Sequence, residues 1–412
     1  MSSTLRGQAV ADRLDALTAF LGRGRSLWRS NPFRDPHPGW QAEHPALAAW
    51  LEGLTPEAVA QAEQRPSAVD GPAPWPELVR EAAALTALGR LPVSAWLPDR
   101  GPAAKGVKAR KWDQVRGFLG ACDLPAAEAA GPVVEWCAGR GHLGRTLAVH
   151  LGRPAVLLER EPGLCAPPHG LSERPGVRHA CVDVLGPDVH AAVPEGASLV
   201  GLHACGRLGD RLAEVAQDRG AAMIALAPCC AHRRFGVPHA PRSARGAVAG
   251  WMLDEDDLRL ATLDEVVATP RRAAQRRRQL RVRVAVDLLA RRHSGREVYH
   301  GGRSVPRDTW DLPFADAVRR VAEAGAVRIP DAFDADALEE EAAARALRVR
   351  ALALVRLVHR RPLELWLALD RACELLEAGW DVEVGTFCPR EASPRDLLIL
   401  ARAPRGGGRR TA

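Results

Sequence analysis

The segment VVEWCAGRGHLGRTLA, residues 133–148, contains three glycines at the spacing of a nucleotide-binding loop. Gly139, Gly141 and Gly144 follow an apolar run and precede a helix-like run, which gives the pattern G-x-G-x-x-G between a strand and a helix. Glycines in this pattern allow a tight turn and bring the N-terminus of a helix against a bound cofactor. Because the same loop binds dinucleotides and other adenosine cofactors, the surrounding residues must decide between them.

Three acidic residues at the ends of predicted strands favour S-adenosylmethionine as the cofactor. Glu135 closes the first strand beside the loop, where it would anchor the methionine moiety directly or through water. Glu159 ends AVLLE twenty residues after Gly139, and a carboxylate there can accept both ribose hydroxyls. Asp183 in CVDV would hold the adenine amino group. Taken singly, Glu159 could be a solvated strand-end acid and Asp183 a turn cap, but their order along the chain favours a cofactor site.

The glycine loop itself supplies further cofactor contacts. Cys137 stands where many methyltransferases have the first glycine, and its small thiol is compatible with the same turn. Gly139 and Gly141 allow the backbone to approach the cofactor closely, which a side chain would block. We therefore assign Cys137, Gly139 and Gly141 to cofactor binding together with the three acids.

LHACG, residues 202–206, ends the fourth predicted strand, where a methyl acceptor would meet the sulfonium. His203 is assigned here both to cofactor binding and to catalysis, since an imidazole can accept a proton near neutral pH. A structural histidine that caps the strand end is the alternative. Lys111 is the second candidate base, provided that burial lowers its pKa. A ring-nitrogen acceptor needs little base, whereas a ribose hydroxyl needs one.

A further group of residues is predicted to line the acceptor pocket. APCCAH, residues 227–232, places two cysteines and a histidine after the fifth predicted strand. Neighbouring cysteines on a strand point to opposite faces, and the spacing lacks the C-x2-C hook of zinc sites, so no metal site is predicted. The lysines are clustered at Lys105, Lys108 and Lys111, in a chain that otherwise uses arginine. The residues assigned to substrate binding are Lys108, Cys205, Cys229, Cys230 and His232.

The strand and helix signals from about residue 105 onward predict an α/β fold. Apolar segments alternate with segments that allow helices, which is typical of a parallel sheet with helices on both faces and ligands at its carboxyl ends. The last two strands are joined by a connection too short for a crossover helix and should pair antiparallel. A parallel sheet that ends in an antiparallel hairpin is the Rossmann-like organisation of the class I methyltransferases. The predicted strands are 132–136, 154–159, 177–184, 197–204, 221–228, 379–387 and 395–404.

Three regions are predicted along the chain. Residues 1–104 form a helical, tryptophan-rich region, which is either a packed helical cap or an aromatic platform on which bases stack. Residues 105–405 form the methyltransferase domain, with a large insertion at about 233–345 and a long helix over 335–359. Residues 406–412 are expected to be a disordered tail.

Composition sets further bounds. With 412 residues, of which 47% are hydrophobic, the chain is long enough for two domains or for one domain with a large insertion. The net charge of +7 and the basic stretch 271–283 suit a polyanionic partner such as RNA, although the stretch also fits a solvated helix face or a strand edge. The nine cysteines have no regular spacing, so reduced thiols are expected. Without a signal segment or a membrane span in the pattern, a soluble, cytoplasmic protein is expected.

A family resemblance is carried by EWCAGRGHLGR, LVGLHACGRL, APCCAH and the terminal run from PLELWLALDRAC to RDLLIL. These segments resemble the methyltransferase domain of the methyltransferase-like protein 25 group and, more distantly, the eukaryotic tRNA 2'-O-methyltransferase that acts on the acceptor stem. KARKWDQV, with Lys108, Lys111 and Gln114, resembles the lysine-containing segment before the glycine loop, which would place these lysines beside the active site. The resemblance covers about 105–232 and 358–403. The zinc-finger segment of the tRNA enzyme is not evident, and APCCAH lacks the tyrosine often found in its counterpart.

The residues and the resemblance together imply an S-adenosylmethionine-dependent methyltransferase that transfers the methyl group in line to its acceptor. RNA, either a tRNA or an rRNA, is the favoured acceptor because of the basic balance and the distant tRNA relative. Protein side chains and small metabolites are alternative acceptors. A cofactor-binding scaffold without catalysis and a nicotinamide-binding protein are the alternatives from other classes.

Overall fold

The computed structural model describes residues 3–93, 107–122, 131–165, 176–263, 269–300 and 303–404. Trp96, Lys105 and the predicted tail at 406–412 lie outside the described residues. Within the described ranges, no helix combines the length and the apolar composition that crossing a bilayer requires.

Eight strands in the described ranges form one sheet. They are β1 Leu5–Arg6, β2 Val133–Trp136, β3 Ala155–Glu159, β4 Val177–Cys181, β5 Ser198–Cys205, β6 Met223–Cys229, β7 Asp381–Thr386 and β8 Leu397–Arg402. Their order across the sheet is β1-β7-β8-β6-β5-β2-β3-β4. The strands from β6 to β4 are parallel, whereas β8 is antiparallel to both of its neighbours and β1 is antiparallel to β7. The predicted Rossmann-like α/β sheet with a terminal antiparallel hairpin is confirmed.

The apolar character of the strands explains why the sequence predicts them well. In β3 the first four residues are buried, and in β8 the first five are. Parallel strands that helices cover on both faces are continuous apolar runs rather than alternating ones. All seven predicted strands form, with ends that differ by no more than three residues from the prediction. The eighth strand, β1, has only two residues, which is too short for a strand signal.

Helices connect and flank these strands. The 3-10 helices in the described ranges are Pro66–Ala68, Pro162–Leu164 and Arg307–Asp311. The α-helices are α1 Gln8–Arg23, α2 Arg25–Arg29, α3 Trp40–Glu43, α4 Pro45–Glu52, α5 Pro56–Gln64, α6 Trp75–Thr86, α7 Ala109–Cys122, α8 His142–Leu151, α9 Val189–Ala192, α10 Arg207–Asp218, α11 Ala244–Ala247, α12 Glu255–Leu260, α13 Pro270–Ser294, α14 Phe314–Gly325, α15 Ala335–Leu352 and α16 Leu354–Glu377.

The long helix predicted over 335–359 is not continuous. Helix α15 ends at Leu352 and α16 begins at Leu354, so that a single residue, Ala353, interrupts the run. The N–H of Ala353 still donates to the carbonyl of Val349 over 3.0 Å, which is why the sequence period gives no sign of the break. Helix α16 then continues through Pro362 into the segment that precedes β7.

The described residues divide into two compact units. The first unit contains the sheet and takes the described residues of Met1–Gly22, Ala84–Leu263 and Arg360–Ala412. In its core, Phe118 of α7 packs edge-on against Phe387 after β7, with ring centroids 5.8 Å apart. This contact fixes α7 against the sheet, and α7 carries one of the candidate catalytic residues.

The second unit is helical in its described residues and contains Arg23–Ala83 and Asp264–His359. Its core is formed by apolar side chains of α13, α14 and α15. Arg350 of α15 also forms an ion pair with Glu63 of α5 at 2.7 Å. These units differ from the predicted division at residue 104, because part of the N-terminal region packs with the predicted insertion.

Cys165 and Cys181 are joined by a disulfide, so the expectation of nine reduced thiols is wrong for this pair. The two residues meet because Cys165 follows the 3-10 helix after β3 and Cys181 ends β4, and these strands are parallel neighbours. Their Cα atoms are 5.4 Å apart, a distance that a disulfide can span. The seven other cysteines are free.

Candidate active site

The glycine-rich loop connects β2 to α8 at the carboxyl end of the sheet. Gly139 and Gly141 have φ angles of +56° and +68°, which glycine adopts without strain. A Cβ atom at Gly141 or Gly144 would collide with the side chain of Leu157 on β3. These two glycines therefore let the loop and the start of α8 pack on the neighbouring strand, whereas a Cβ atom at Gly139 would point into open space.

Glu135 is buried beside this loop, with 7% of its surface exposed. Its Oε2 atom accepts a hydrogen bond from the N–H of Gly144 over 2.7 Å. Burial raises the pKa of the Glu135 carboxyl to about 7, although the Gly144 amide and the charges of Lys111 and Arg145 oppose the rise. The raised pKa means that the protein stabilises the Glu135 carboxylate only in part. A cationic group of a ligand beside this carboxylate would stabilise it further.

A cavity of about 140 Å³ lies at the carboxyl ends of β3 and β4. Cys137, Glu159 and Asp183, which the sequence assigns to cofactor binding, all line it. Cys137 has a φ angle of +55°, which residues other than glycine seldom adopt. The loop thus bends at a cysteine where many methyltransferases have glycine. Cys137, Glu159 and Asp183 lie around the same cavity.

Backbone amides hold both carboxylates of this cavity. Oε2 of Glu159 accepts from the N–H of Gly139 at 2.8 Å, and Oε1 accepts from the amides of the two following residues, at 2.9 Å each. A carboxylate has about four acceptor positions, so Glu159 keeps about one for a ribose hydroxyl, and a second hydroxyl must displace an amide. Asp183 accepts from the N–H of Leu185 at 3.0 Å and lies 3.6 Å from a guanidinium nitrogen of Arg160.

Helix α7 brings Lys111 and Gln114 to the other side of the loop. Oε1 of Gln114 lies 3.2 Å from Nε2 of His203 on β5. His203 keeps one side open to solvent, but the surrounding atoms desolvate it and, with the charge of Lys111, lower its pKa to about 4. Desolvation also lowers the pKa of Lys111, against the opposing charge of Glu135. Lys111 is therefore shifted toward the range of a useful base and His203 away from it, while Lys108 lies exposed before α7.

Three cysteines assigned to the acceptor pocket lie together at the ends of β5 and β6. The sulfur atoms of Cys205 and Cys229 are 2.9 Å apart, and these two and the sulfur of Cys230 all lie within 4.8 Å of one another. The expectation that adjacent cysteines point to opposite faces is wrong here, because Cys230 lies one residue beyond β6 with a φ angle of +41°. His232 is outside this sulfur group, and its Nδ1 atom lies 3.3 Å from Oγ1 of Thr262.

Sequence reasoning missed two residues of this region. Phe235, with a φ angle of +54°, lines the cavity at the ends of β3 and β4 and also an open groove of about 580 Å³ that it shares with His232 and Met252. His239 is 2% exposed, and neither of its ring nitrogens has a hydrogen-bond partner in the described part of the chain. Both residues follow APCCAH within ten positions, but no motif or period marks them.

Residues 110–234 match a family model described as a methyltransferase domain. The match covers less than a third of the chain and includes the strands from β2 to β6, both candidate bases and the three clustered cysteines. No curated protein and no solved structure matches the chain. The chain therefore carries a methyltransferase domain, while the relationship to the methyltransferase-like protein 25 group and to the tRNA enzyme stays a prediction.

Proposed function

We propose that the protein is an S-adenosylmethionine-dependent methyltransferase. The observation that carries the proposal is that Glu135, Glu159 and Asp183 lie at the carboxyl ends of three adjacent parallel strands, β2, β3 and β4, around one glycine loop. Ligands of open α/β sheets bind at these ends. In this proposal the methionine ammonium lies at Glu135, the ribose at Glu159 and the adenine at Asp183.

The bound cofactor would supply a methyl group on a sulfonium, which transfers by direct displacement once an acceptor atom is held in line with it. The chain's own task is then to position the two reactants. Phe235 lines both the cofactor cavity and the adjoining groove, so we propose the groove as the acceptor entrance. The groove follows β6, on the side of the sheet where the acceptor is expected.

For an acceptor hydroxyl, we propose Lys111 as the group that takes the proton. Desolvation lowers the pKa of its ammonium group, so that a neutral amine is available at lower pH than in an exposed lysine. His203 has its pKa lowered to about 4 and is neutral at working pH, which suits a hydrogen-bonding role beside Gln114 better than proton uptake.

RNA is the acceptor class that we propose. Helix α13 has no acidic residue in its first turn, where Arg271 and Arg272 are exposed; Arg276 and Arg277 are exposed further along the helix. Positive side chains at the N-terminus of a helix oppose its macrodipole, so this arrangement is unfavourable for the isolated fold. An anionic partner such as an RNA backbone would stabilise these positive side chains by pairing with them. The exposed ring of Phe235 would suit base stacking.

A nicotinamide dinucleotide is the second candidate cofactor, because the spacing from Gly139 to Glu159 fits its ribose equally well. The terminal antiparallel strands argue for the methyl donor instead. Titration calorimetry with S-adenosylmethionine and with NAD separates the two. Binding of NAD alone would reject the methyltransferase proposal.

The main experiment is transfer of labelled methyl groups from S-adenosylmethionine into an extract of cells that lack this protein. The products are then digested separately with ribonuclease and with protease. Ribonuclease-sensitive label supports an RNA acceptor. Protease-sensitive or small-molecule label rejects the RNA acceptor but keeps the methyltransferase, and cofactor binding without transfer favours a non-catalytic scaffold.

Gly139→Arg is the blocked variant for this experiment, and Gly152→Arg is its matched control. Both glycines have φ angles near +60° and open space at the Cβ position, at +56° and +62° respectively. Gly139 lies in the cofactor loop, whereas Gly152 ends α8. Loss of label in Gly139→Arg alone ties the transfer to the loop, and equal loss in both variants would point to a folding defect instead.

A further inference from the structure

The three thiols at the ends of β5 and β6, which the sequence assigns to the acceptor pocket, have no role in the methyl-transfer step proposed above. Cys205 ends β5, Cys229 ends β6 and Cys230 follows directly. We propose that these three cysteines bind a zinc ion as thiolates and leave the fourth coordination position open to the adjoining cavity. This site stands on its own geometry and does not depend on methyl transfer.

The sulfur atoms are close to the arrangement that zinc requires. Zinc–sulfur distances of about 2.3 Å in a tetrahedral site place the ligand sulfurs about 3.8 Å apart. All three sulfur atoms of the group lie within 4.8 Å of one another, and those of Cys205 and Cys229 are 2.9 Å apart. Side-chain rotations that separate this pair by about 0.9 Å would meet the tetrahedral spacing.

The backbone preorganises these thiols. Cys205 and Cys229 are opposite one another in the parallel pairing of β5 and β6. Beyond them, the N–H of Gly206 donates to the carbonyl of Cys229, and the N–H of Arg207 donates to that of Arg233, both over 3.0 Å. A Cβ atom on Gly206 would collide with the carbonyl of Arg233. This glycine therefore permits the loop after β6 to approach the end of β5, and two of the three ligand positions are set by the ends of rigid strands.

The adjoining cavity suits a ligand on the metal. It has a volume of about 30 Å³ and is lined by Cys229, Cys230 and His239, which is room for about one water molecule. His239 is 2% exposed, and both of its ring nitrogens lack a hydrogen-bond partner within the described ranges. Buried polar atoms are nearly always paired, so the two ring nitrogens favour a polar group in the cavity. A water molecule or another small donor on zinc would fill this place.

Two arginines supply positive charge beside the three thiols. Arg395 lines the cavity and interacts electrostatically with Cys230, and Arg233 does so with Cys205. Three thiolates and one zinc ion carry a single net negative charge, which positive charge nearby stabilises. Sulfur ligands select zinc over magnesium and calcium, which prefer oxygen. Three protein ligands with one open position are the pattern of reactive zinc sites, whereas structural sites are closed by four.

The test is the metal content of the full-length protein, purified under reducing conditions without a chelator and then incubated with zinc and desalted. We expect one zinc ion per chain by mass spectrometry of the metal. Cobalt in its place should give the intense absorption of cobalt–thiolate bonds. Wild-type protein that retains no zinc, or that retains copper instead, overturns the proposal, and this measurement needs no variant to fold.

Variants then locate the metal. Cys205→Ser and Cys230→Ser should each lose most of the bound zinc, whereas Cys388→Ser, a free and buried cysteine outside the group, should keep it. Zinc retained by both cluster variants overturns the assignment. A disulfide between Cys205 and Cys229 in the purified protein, with no zinc uptake after its reduction, overturns it as well. Methyl transfer is not part of this readout, so a failure here is distinct from a failure of the proposed function.

Discussion

The N–H of Gly144 donates a hydrogen bond to Oε2 of Glu135 over 2.7 Å, which ties the first turn of α8 to strand β2. This bond favours the carboxylate in a place where burial opposes ionisation. A Cβ atom at Gly144 would collide with Leu157 and approach the same oxygen to 2.9 Å. The third glycine of the motif therefore serves the packing that places the acid beside the loop.

The unfolding free energy of wild type should decrease as the pH rises, because Glu135 ionises. Glu135→Gln cannot ionise at this position and should not show this decrease. The pKa of Glu135 is about 7 in the folded protein against 4.5 for an exposed glutamate. The folded state therefore binds the proton more tightly, and ionisation destabilises it between about pH 4.5 and about pH 7. The shift corresponds to at most about 3 kcal/mol. Urea unfolding at the two ends of this range should show wild type losing more stability than the glutamine variant; equal losses would contradict the raised pKa.

Lys111→Arg and Lys111→Met should separate the charge of this residue from its use as a base. Arginine keeps the charge but stays protonated at working pH, and methionine keeps the length without the charge. If Lys111 takes the acceptor's proton, both variants should lower kcat by about 10²- to 10⁴-fold. Wild-type kcat should rise with pH to a plateau, through a pKa below the 10.5 of an exposed lysine because desolvation lowers it. Near-normal kcat in Lys111→Arg would leave Lys111 only an electrostatic role.

His203→Gln is the comparison for the lysine variants in the same pH series. The pKa of His203 is already lowered to about 4, so this histidine changes no charge in the neutral range. Glutamine can still contact Gln114. We therefore expect the profile of kcat against pH to keep its shape in His203→Gln. If the variant instead lost an inflection near neutral pH, His203 would be the base.

Asp210→Asn should unfold the first unit more easily than any exposed substitution on the same helix. Asp210 is buried at the start of α10 and pairs with Arg371, with Arg234 at 2.7 Å and with Arg242 at 3.9 Å. Burial alone would raise its pKa, but the three arginines outweigh this and hold the pKa well below the usual range. Asparagine leaves the guanidinium groups of Arg371 and Arg234 without this counter-charge, whereas Arg242 keeps Glu374 at 2.6 Å. The loss should cost about 3–5 kcal/mol of unfolding free energy.

Asp218→Asn, at the end of the same helix, is the matched control for Asp210. Its carboxylate is largely exposed and lies 3.9 Å from Nε2 of His190, so we expect a change of less than about 1 kcal/mol. Because the pKa of Asp210 is lowered, its contribution is present above about pH 4 and is lost as the pH falls further. The gap between wild type and Asp210→Asn in chemical denaturation should therefore narrow toward acid pH, and similar values for the two variants would mean that the buried pairs stabilise nothing.

The sheet and the grouping of Glu159 with Asp183 in one cavity could be predicted because their signals are local. Strands such as β3 and β8 are short apolar runs, and Glu159 and Asp183 are the polar residues at or just beyond strand ends. Parallel strands bring such residues together without any further information. The roles of Glu159 and Asp183 stay predictions, but their common cavity follows from the order of the strands.

The missed features depend on single backbone angles and on contacts between distant segments. The positive φ angle of Cys230 removes it from strand alternation, and that of Phe235 accompanies its place between cavity and groove. Neither residue is a glycine, so the sequence carries no sign of the turn. The grouping of 23–83 with 264–359 likewise depends on long-range pairs such as Arg350 with Glu63.

Replacement of Arg271 and Arg272 by glutamate should change stability and RNA binding in opposite directions. Both residues are exposed in the first turn of α13, at the positive end of its macrodipole. Glutamates there should raise the free energy of unfolding by about 0.3–1 kcal/mol each. If this turn contacts phosphates, the same double variant should bind RNA more weakly. Its slope of log K against log salt should fall by about 0.7 for each lost contact with single-stranded RNA.

Arg328→Glu supplies the comparison, since Arg328 is an exposed arginine outside α13. Fluorescence anisotropy with labelled RNA over a salt series measures binding, and thermal denaturation of the same samples measures stability. A weaker affinity in a protein that has become more stable cannot come from unfolding, so the paired result assigns the loss to contacts. Increased stability with unchanged RNA binding would instead show that the first turn of α13 does not contact RNA.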